Sequence, residues 1–188
     1  VPAVIVDVMR GGPGLGNILP SQSDYFQVTR SAGHGDFHPI VLAPASVQEA
    51  ADFTVLAFDL AEKYRHMVIV ALDGQVGQMM EPAKMPEMRP MQRANWDWAT
   101  DGRMGKRQRR VLSSIYLDPI EEEKLNLRLL SRWQTIQRDE VRYKEYFLDD
   151  AEFVIIGFGT AGRVALSAVR QARANGIKVG LLRPITVS

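Results

Sequence analysis

Two glycine-rich turns hold the residues of this chain that could do chemistry. In the first, Arg10 is followed at once by Gly11, Gly12, Pro13 and Gly14, with Leu15, Gln22, Ser23 and Asp24 further along the same stretch. Ligands of open parallel sheets sit beyond the carboxyl ends of strands, and an arginine there can hold a carboxylate through both arms of its guanidinium. The neighbouring glycines let main-chain amides approach the same ligand. His34 and Asp36 add polar groups on the next loop. They are only two residues apart and no third ligand declares itself, so they are weak as a metal site. On spacing alone the reading divides evenly between an anionic small molecule and a loop satisfied by its own polar side chains.

The second turn, Gly157-Phe158-Gly159-Thr160-Ala161-Gly162, matches the G-x-G-x-x-G pattern of dinucleotide sites and stands between a strand pattern and a helix pattern. Its chemistry would be close approach of the backbone to a pyrophosphate at a helix N-terminus. The strand that follows should end near an acid that holds the ribose, but it reads Val179-Gly180-Leu181-Leu182-Arg183. Arg183 could face a 2′-phosphate instead, which keeps NADP open. The plainer reading is a tight turn in a doubly wound sheet. Arg103, Lys106, Arg107, Arg109 and Arg110 lie near Trp96 and Trp98, a mixture that can bind single-stranded nucleic acid but equally makes a solvated loop. The overall balance favours the loop, since 23 Lys+Arg against 22 Asp+Glu leave a net charge of +1. No nucleic-acid partner is therefore expected.

The elements that must position these residues follow from hydrophobic periodicity. Val1 to Met9 read as a buried strand, with Asp7 the only interruption among β-branched residues. Arg10 to Asp24 contain four glycines and two prolines, which leaves no room for a regular element. A short helix is expected near Asp24 to Arg30, a loop to Pro39 and a strand over Ile40 to Ala43. Ser46 and Glu49 form a capping box that opens a helix to about Arg65, with Val47, Ala50, Ala51, Val55 and Phe58 as its apolar face. A strand over Met67 to Leu72 completes a parallel βαβ unit. Between Asp73 and Arg110, Met79, Met80, Met85, Met88 and Met91 alternate with Pro82, Pro86 and Pro90, as in an arm that hugs its own domain or a partner. Pro119 to about Phe147 reads as a long charged helix with a stripe of Leu125, Leu129, Trp133, Ile136 and Tyr143. A strand from Glu152, a helix from Thr160 to Ala174 and a strand from Lys178 make a second βαβ unit, too small for a core of its own.

The 188 residues contain no cysteine, which excludes disulfides, cysteine nucleophiles and iron–sulfur ligation by these residues. No apolar run approaches a membrane span and no export signal opens the chain, so no membrane partner is expected and the location is read as cytoplasmic. The chain starts and stops inside strand patterns, without an initiator methionine, which reads as a fragment of a longer polypeptide.

Taken in order, RGGPGLGNILPSQSDYF, GHGDF, IVLAPASVQEAADFTVLAFDLAEKYR, SIYLDP, EVRY, VIIGFGTAGRV and GIKVGLLRPIT resemble the alpha-type subunit of the 2-oxoacid:ferredoxin oxidoreductases, over nearly the whole chain. The resemblance implies an α/β architecture. Residues 1–93 would be the C-terminal half of a parallel-sheet thiamine pyrimidine-binding domain, 94–148 an arm and linker helix, and 149–188 the start of a transketolase-C-like α/β domain. GFGTAG would then be a structural turn. It further implies oxidative decarboxylation of a 2-oxoacid, with thiamine diphosphate and magnesium shared with a beta-type partner. Iron–sulfur clusters would sit on partner subunits only. Gamma and ferredoxin-like subunits, ferredoxin and coenzyme A complete the set. The family's catalytic Glu lies upstream of residue 1, so the chain alone is expected to be inactive. Arg10 matches the family's substrate-contacting arginine, and Gly11, Gly12, Pro13, Leu15, Gln22, Ser23, Asp24 and His34 fall on the active-site loops. GNI and GQMMEP resemble the branched-chain members, which act on 3-methyl-2-oxobutanoate. Leu15, Ile18 and Leu19 would form an apolar wall, and no second cation stands beside Arg10 in sequence; 2-oxoglutarate and pyruvate are the alternatives.

Overall fold

A computed structural model describes residues 2–30, 34–35, 37–88, 98–99 and 108–188. The chain forms two compact units, one of Val1–Pro86 with Ser131–Ser188 and the other Glu87–Leu130.

The first unit is built on two sheets. One has the strand order β2-β1-β4-β3, from β1 (Ala3–Gly11), β2 (Asn17–Pro20), β3 (Ile40–Leu42) and β4 (Met67–Asp73). β1, β4 and β3 run parallel, with Met9 opposite Asp73, and β2 is antiparallel to β1. The crossover from β3 to β4 is α2 (Val47–Tyr64), as the strand–helix–strand pattern required. Ser46 caps it by accepting from the Glu49 amide at 3.2 Å. The Glu49 carboxylate reaches past the cap residue to the Ala45 amide, at 2.9 Å. Two apolar clusters lie on the two faces of this sheet. Ile40, Leu42, Val68, Val70 and Leu72 pack with Ala57, Leu60 and Ala61 of α2; Met9, Val41, Ile69 and Ala71 pack with Val28 of α1 (Tyr25–Thr29).

The second sheet has the order β5-β7-β6, from β5 (Tyr143–Tyr146), β6 (Phe153–Ile156) and β7 (Val179–Pro184). β6 and β7 are parallel and joined by α5 (Gly159–Ala174), while β5 is antiparallel to β7. The residues after β7 run antiparallel along the outer edge of β3: Ala43 donates to the Ile185 carbonyl at 2.8 Å and Val187 to the Val41 carbonyl at 3.0 Å. This covers an edge that would otherwise expose unpaired amides. Glu140, just past α4 (Pro119–Asp139), is a buried carboxylate held by Lys63 at 2.7 Å, Tyr64 Oη at 2.5 Å and Arg142 at 2.6 Å. Burial pushes its pKa up, but those three donors outweigh burial and hold it below the usual carboxylate range.

Several expectations are corrected. β1 is not buried throughout: over Ala3–Met9 it is an edge strand paired with β4 alone, and Ile5, Val6 and Val8 are exposed. The Arg10–Asp24 stretch does hold a regular element, β2, because Gly14 and Gly16 adopt positive φ and let the chain fold back as a hairpin. The buried face of α2 is set by Ala57, Leu60 and Ala61, and Phe58 is 57% exposed. The long helix stops at Asp139, so Tyr143 lies in a strand and not on its stripe. The arm after Asp73 begins with the short helix α3 (Gly74–Gln78) and then follows the start of α2. There Glu81 accepts from the Val47 amide and Gln48 bonds both polar groups of the Lys84 backbone, while Met80 and Met85 point outward. Met91, Trp96, Arg103, Lys106 and Arg107 lie outside the described residues. No described helix is long and apolar enough to cross a membrane.

Candidate active site

Arg10 stands at the carboxyl end of β1, where β4 holds the strand on one side and β2 on the other. Its side chain is exposed and has no hydrogen bond or ion pair among the described residues. Its backbone is fixed: the Ser23 hydroxyl donates to the Arg10 carbonyl at 2.5 Å, and Arg10 is in register with Pro20. Gly12 approaches the same hydroxyl, a Cβ there lying 3.8 Å from Ser23 Oγ. Gly16 closes the hairpin at φ 54°, and a Cβ on it would sit 1.8 Å from the Gly11 carbonyl oxygen, so no side chain fits. Pro13 lies in the same turn, and Leu15, Ile18 and Leu19 project from the hairpin at 88%, 79% and 64% exposure. Arg10, Gly11, Gly12 and Ser23 are thus brought together around one main-chain segment.

Asp24 precedes α1 but does not cap it with its side chain. It lies close enough to Asp7 to act on it. Burial, and secondarily the Asp24 charge, raise the Asp7 pKa above the usual range, and Asp7 Oδ2 is buried with no partner among the described residues. His34 is exposed and has no hydrogen bond among the described residues; Asp36 lies outside them.

The GFGTAG turn is filled by the protein itself. Phe158 is the N-cap position of α5 and offers no capping side chain. Asp73, at the end of β4, accepts from the Thr160 amide at 2.9 Å and from the Thr160 hydroxyl at 2.6 Å. A carboxylate therefore already occupies the helix N-terminus where a pyrophosphate would go. Gly159 has φ 53°, and a Cβ on it would meet Asp73 Oδ2 at 3.0 Å and Gln22 Nε2 at 3.1 Å. Gly162 serves close packing, since a Cβ there would lie 2.5 Å from the Gly157 carbonyl oxygen and 2.9 Å from Arg183 Cγ. Arg183 is not free for a 2′-phosphate. It is buried and forks onto Glu49, Nη1 to Oε2 at 3.0 Å and Nη2 to Oε1 at 2.6 Å. Both features that kept NADP open are thus satisfied internally.

Sequence reasoning passed over Asp73. It is buried and also caps α3, accepting from the Gln75 and Val76 amides at 3.1 Å each. The signal was present, an apolar strand ending in Leu72-Asp73-Gly74, which is a helix-start signature. Gln22 is the other link, donating from Nε2 to the Phe158 carbonyl at 2.9 Å, with Tyr25 and Phe158 rings 5.7 Å apart. The loop bearing Arg10 and the GFGTAG turn therefore touch through Gln22. The diphosphate of thiamine does not fit the α5 turn, which Asp73 fills. The Arg10 loop has the donor chemistry for a small carboxylate.

Residues 1–119 match the family model described as pyruvate flavodoxin/ferredoxin oxidoreductase, thiamine diphosphate-binding, and residues 151–188 match pyruvate:ferredoxin oxidoreductase core domain II. The ketoisovalerate oxidoreductase subunit VorB of Methanothermobacter thermautotrophicus is 51% identical over 187 residues, covering 100% of this chain and 53% of the relative. The 2-oxoglutarate synthase subunit KorA of Methanocaldococcus jannaschii is 34% identical over 209 residues, covering 99% of this chain and 57% of the relative. The chain thus spans about half the length of the curated relatives it matches. The fold is shared with the 2-oxoglutarate:ferredoxin oxidoreductase from Magnetococcus marinus solved with 2-oxoglutarate, coenzyme A and succinyl-CoA bound. The TM-score is 0.77 at 22% identity, covering 98% of this chain and 37% of that one. With its parallel β1-β4-β3 core and a matching family model over most of its length, the chain belongs to the thiamine diphosphate-binding pyruvate flavodoxin/ferredoxin oxidoreductase family.

Proposed function

We propose that this chain is part of the alpha-type subunit of a 2-oxoacid:ferredoxin oxidoreductase that converts a branched-chain 2-oxoacid to its acyl-CoA. The observation that carries the reading is Arg10, an exposed guanidinium on a backbone fixed by two strands and by Ser23. In this role it holds the substrate carboxylate, and Leu15, Ile18 and Leu19 on the adjoining hairpin offer the apolar wall that a branched side chain needs. Similarity to the ketoisovalerate oxidoreductase subunit supports 3-methyl-2-oxobutanoate over 2-oxoglutarate. When bound, thiamine diphosphate supplies the carbanion stabilisation that lets carbon dioxide leave. Residues 1–93 would form this chain's half of the cofactor domain, 94–148 the linker and 149–188 the start of a transketolase-C-like domain. The diphosphate and its magnesium belong in this reading to a beta-type partner. In this reading the electrons pass to ferredoxin through iron–sulfur clusters on gamma and ferredoxin-like subunits; these 188 residues contain no cysteine to ligate one. The setting is the cytoplasm.

The test is R10A and R10K in the full-length subunit assembled with its partners. Loss of a charge-assisted pair on the substrate carboxylate should lower kcat/KM for 3-methyl-2-oxobutanoate on the order of 100-fold in R10A, and less in R10K, which keeps charge but loses the fork. Coenzyme A kinetics and cluster content should be intact. An R10A enzyme within about twofold of the wild type for every 2-oxoacid would remove Arg10 from the site.

A further inference from the structure

Asp73 is a buried carboxylate outside the substrate loop, and it binds two helix starts at once. Oδ1 takes the amides of Gln75 and Val76 at the head of α3, and Oδ1 and Oδ2 take the hydroxyl and amide of Thr160 at the head of α5. Both helix heads bear on the hairpin that carries Arg10. On the α3 side, Gly74 packs beside the hairpin, a Cβ there standing in ordinary van der Waals contact with Pro20 Cα at 3.4 Å and the Met9 carbonyl oxygen at 3.5 Å. On the α5 side, Phe158 accepts from Gln22, and the next residue, Ser23, donates to the Arg10 carbonyl. Two routes therefore run from one carboxylate to the backbone of Arg10, one through Gly74 and Pro20, the other through the α5 turn, Gln22 and Ser23.

We propose that Asp73 is a positioning residue for Arg10. By clamping the heads of α3 and α5 it fixes the backbone from which the guanidinium projects toward the 2-oxoacid carboxylate. The assignment rests on the proposed substrate role of Arg10. Asp73 touches no substrate atom in this reading; it sets where Arg10 starts. A side chain as long as arginine reaches several ångströms from its Cα, so a small displacement of that backbone is enough to misplace the fork. Asn in place of Asp keeps the volume but turns one acceptor oxygen into a donor, so part of the clamp is lost.

The experiment is a double-mutant cycle between D73N and R10A in the full-length subunit, assembled with its partners and assayed with 3-methyl-2-oxobutanoate and coenzyme A. D73N alone should raise KM for the 2-oxoacid about tenfold, the scale of a lost charge-assisted hydrogen bond, and leave KM for coenzyme A unchanged. In an R10A background the same substitution should have no further effect on kcat/KM for the 2-oxoacid, because the group it positions is gone. A merely structural Asp73 would damage both backgrounds alike. T160V, which removes only the hydroxyl donor, carries the same cycle if D73N does not assemble. A wild-type 2-oxoacid KM in D73N or T160V, or an effect undiminished in R10A, overturns the positioning role and leaves the Arg10 reading standing. An R10A enzyme with unimpaired kcat/KM overturns both.

Discussion

Replacing Glu49 by Gln tests what ties the second sheet to the first. The Glu49 carboxylate accepts from both arms of Arg183 on β7 at 3.0 and 2.6 Å, from Lys144 on β5 at 2.8 Å and from the Ala45 amide at 2.9 Å. The Arg183 side chain is 4% exposed and that of Glu49 is 15% exposed, so water cannot replace what is lost. E49Q is nearly isosteric and leaves the Arg183 charge buried without compensation. Breaking a buried pair in this way costs about 3–5 kcal/mol, which at roughly 2–4 °C per kcal/mol is a fall in Tm of about 6–20 °C. By contrast, a solvent-exposed pair such as Lys124 with Glu121 is worth less than about 1 kcal/mol, and E121Q is the control. Thermal unfolding followed by circular dichroism reads the difference. A second readout comes from pH. Burial raises the Glu49 pKa, but the bonds from Lys144, Ala45 and Arg183 outweigh it and bring the value below the ordinary 4.5. Its contribution is therefore complete above 4.5 and fades as pH falls through the lowered value, so the gap between E49Q and wild type should narrow in acid. A Tm for E49Q within about 2 °C of wild type at neutral pH would refute the claim that this pair joins the sheets.

The internal filling of the GFGTAG turn leads to the expectation that isothermal titration with NAD or NADP gives no binding at micromolar ligand; a micromolar dissociation constant abolished by G159V would overturn it. His66 provides a pH signature. Burial, opposed by its hydrogen bond to the His38 carbonyl at 2.6 Å and aided by the Arg132 charge, lowers its pKa from the ordinary 6.5. The unfolded chain then takes up the proton first, so His66 stabilises fully above pH 6.5 and loses its contribution as pH falls through the lowered value. Unfolding free energies from urea titrations at pH 7.5 and 5.5 should show a drop that is smaller in H66Q, and equal drops in the two proteins would count against it.

Local signals in the sequence determined the parts of the fold that depend on few neighbours. Ser46 and Glu49 open α2 where the capping pattern places them, and the strand–helix–strand spacings around it point to parallel pairing, because a helix of that length carries the chain back to the end of the sheet where the first strand began. Arg10 was legible as the end of a strand followed by glycine, since both are properties of adjacent residues. Other features depended on groups far apart in the chain. A G-x-G-x-x-G turn looks the same whether it receives a phosphate or a carboxylate, and the choice was made by Asp73, which is 87 residues away from Thr160. Arg183 looked available because Glu49, its partner, is 134 residues distant. The face of α2 was misjudged because which of its apolar residues are covered depends on where the sheet lies against it, and so Phe58 is left outside while Ala57 is buried. Helix starts arise from bonds that close within a few residues, and strand candidates from the apolar pattern of adjacent residues. What fills a turn, which charges pair and which face is covered depend on which distant groups the packed core brings within reach, and for those the tertiary structure alone decides.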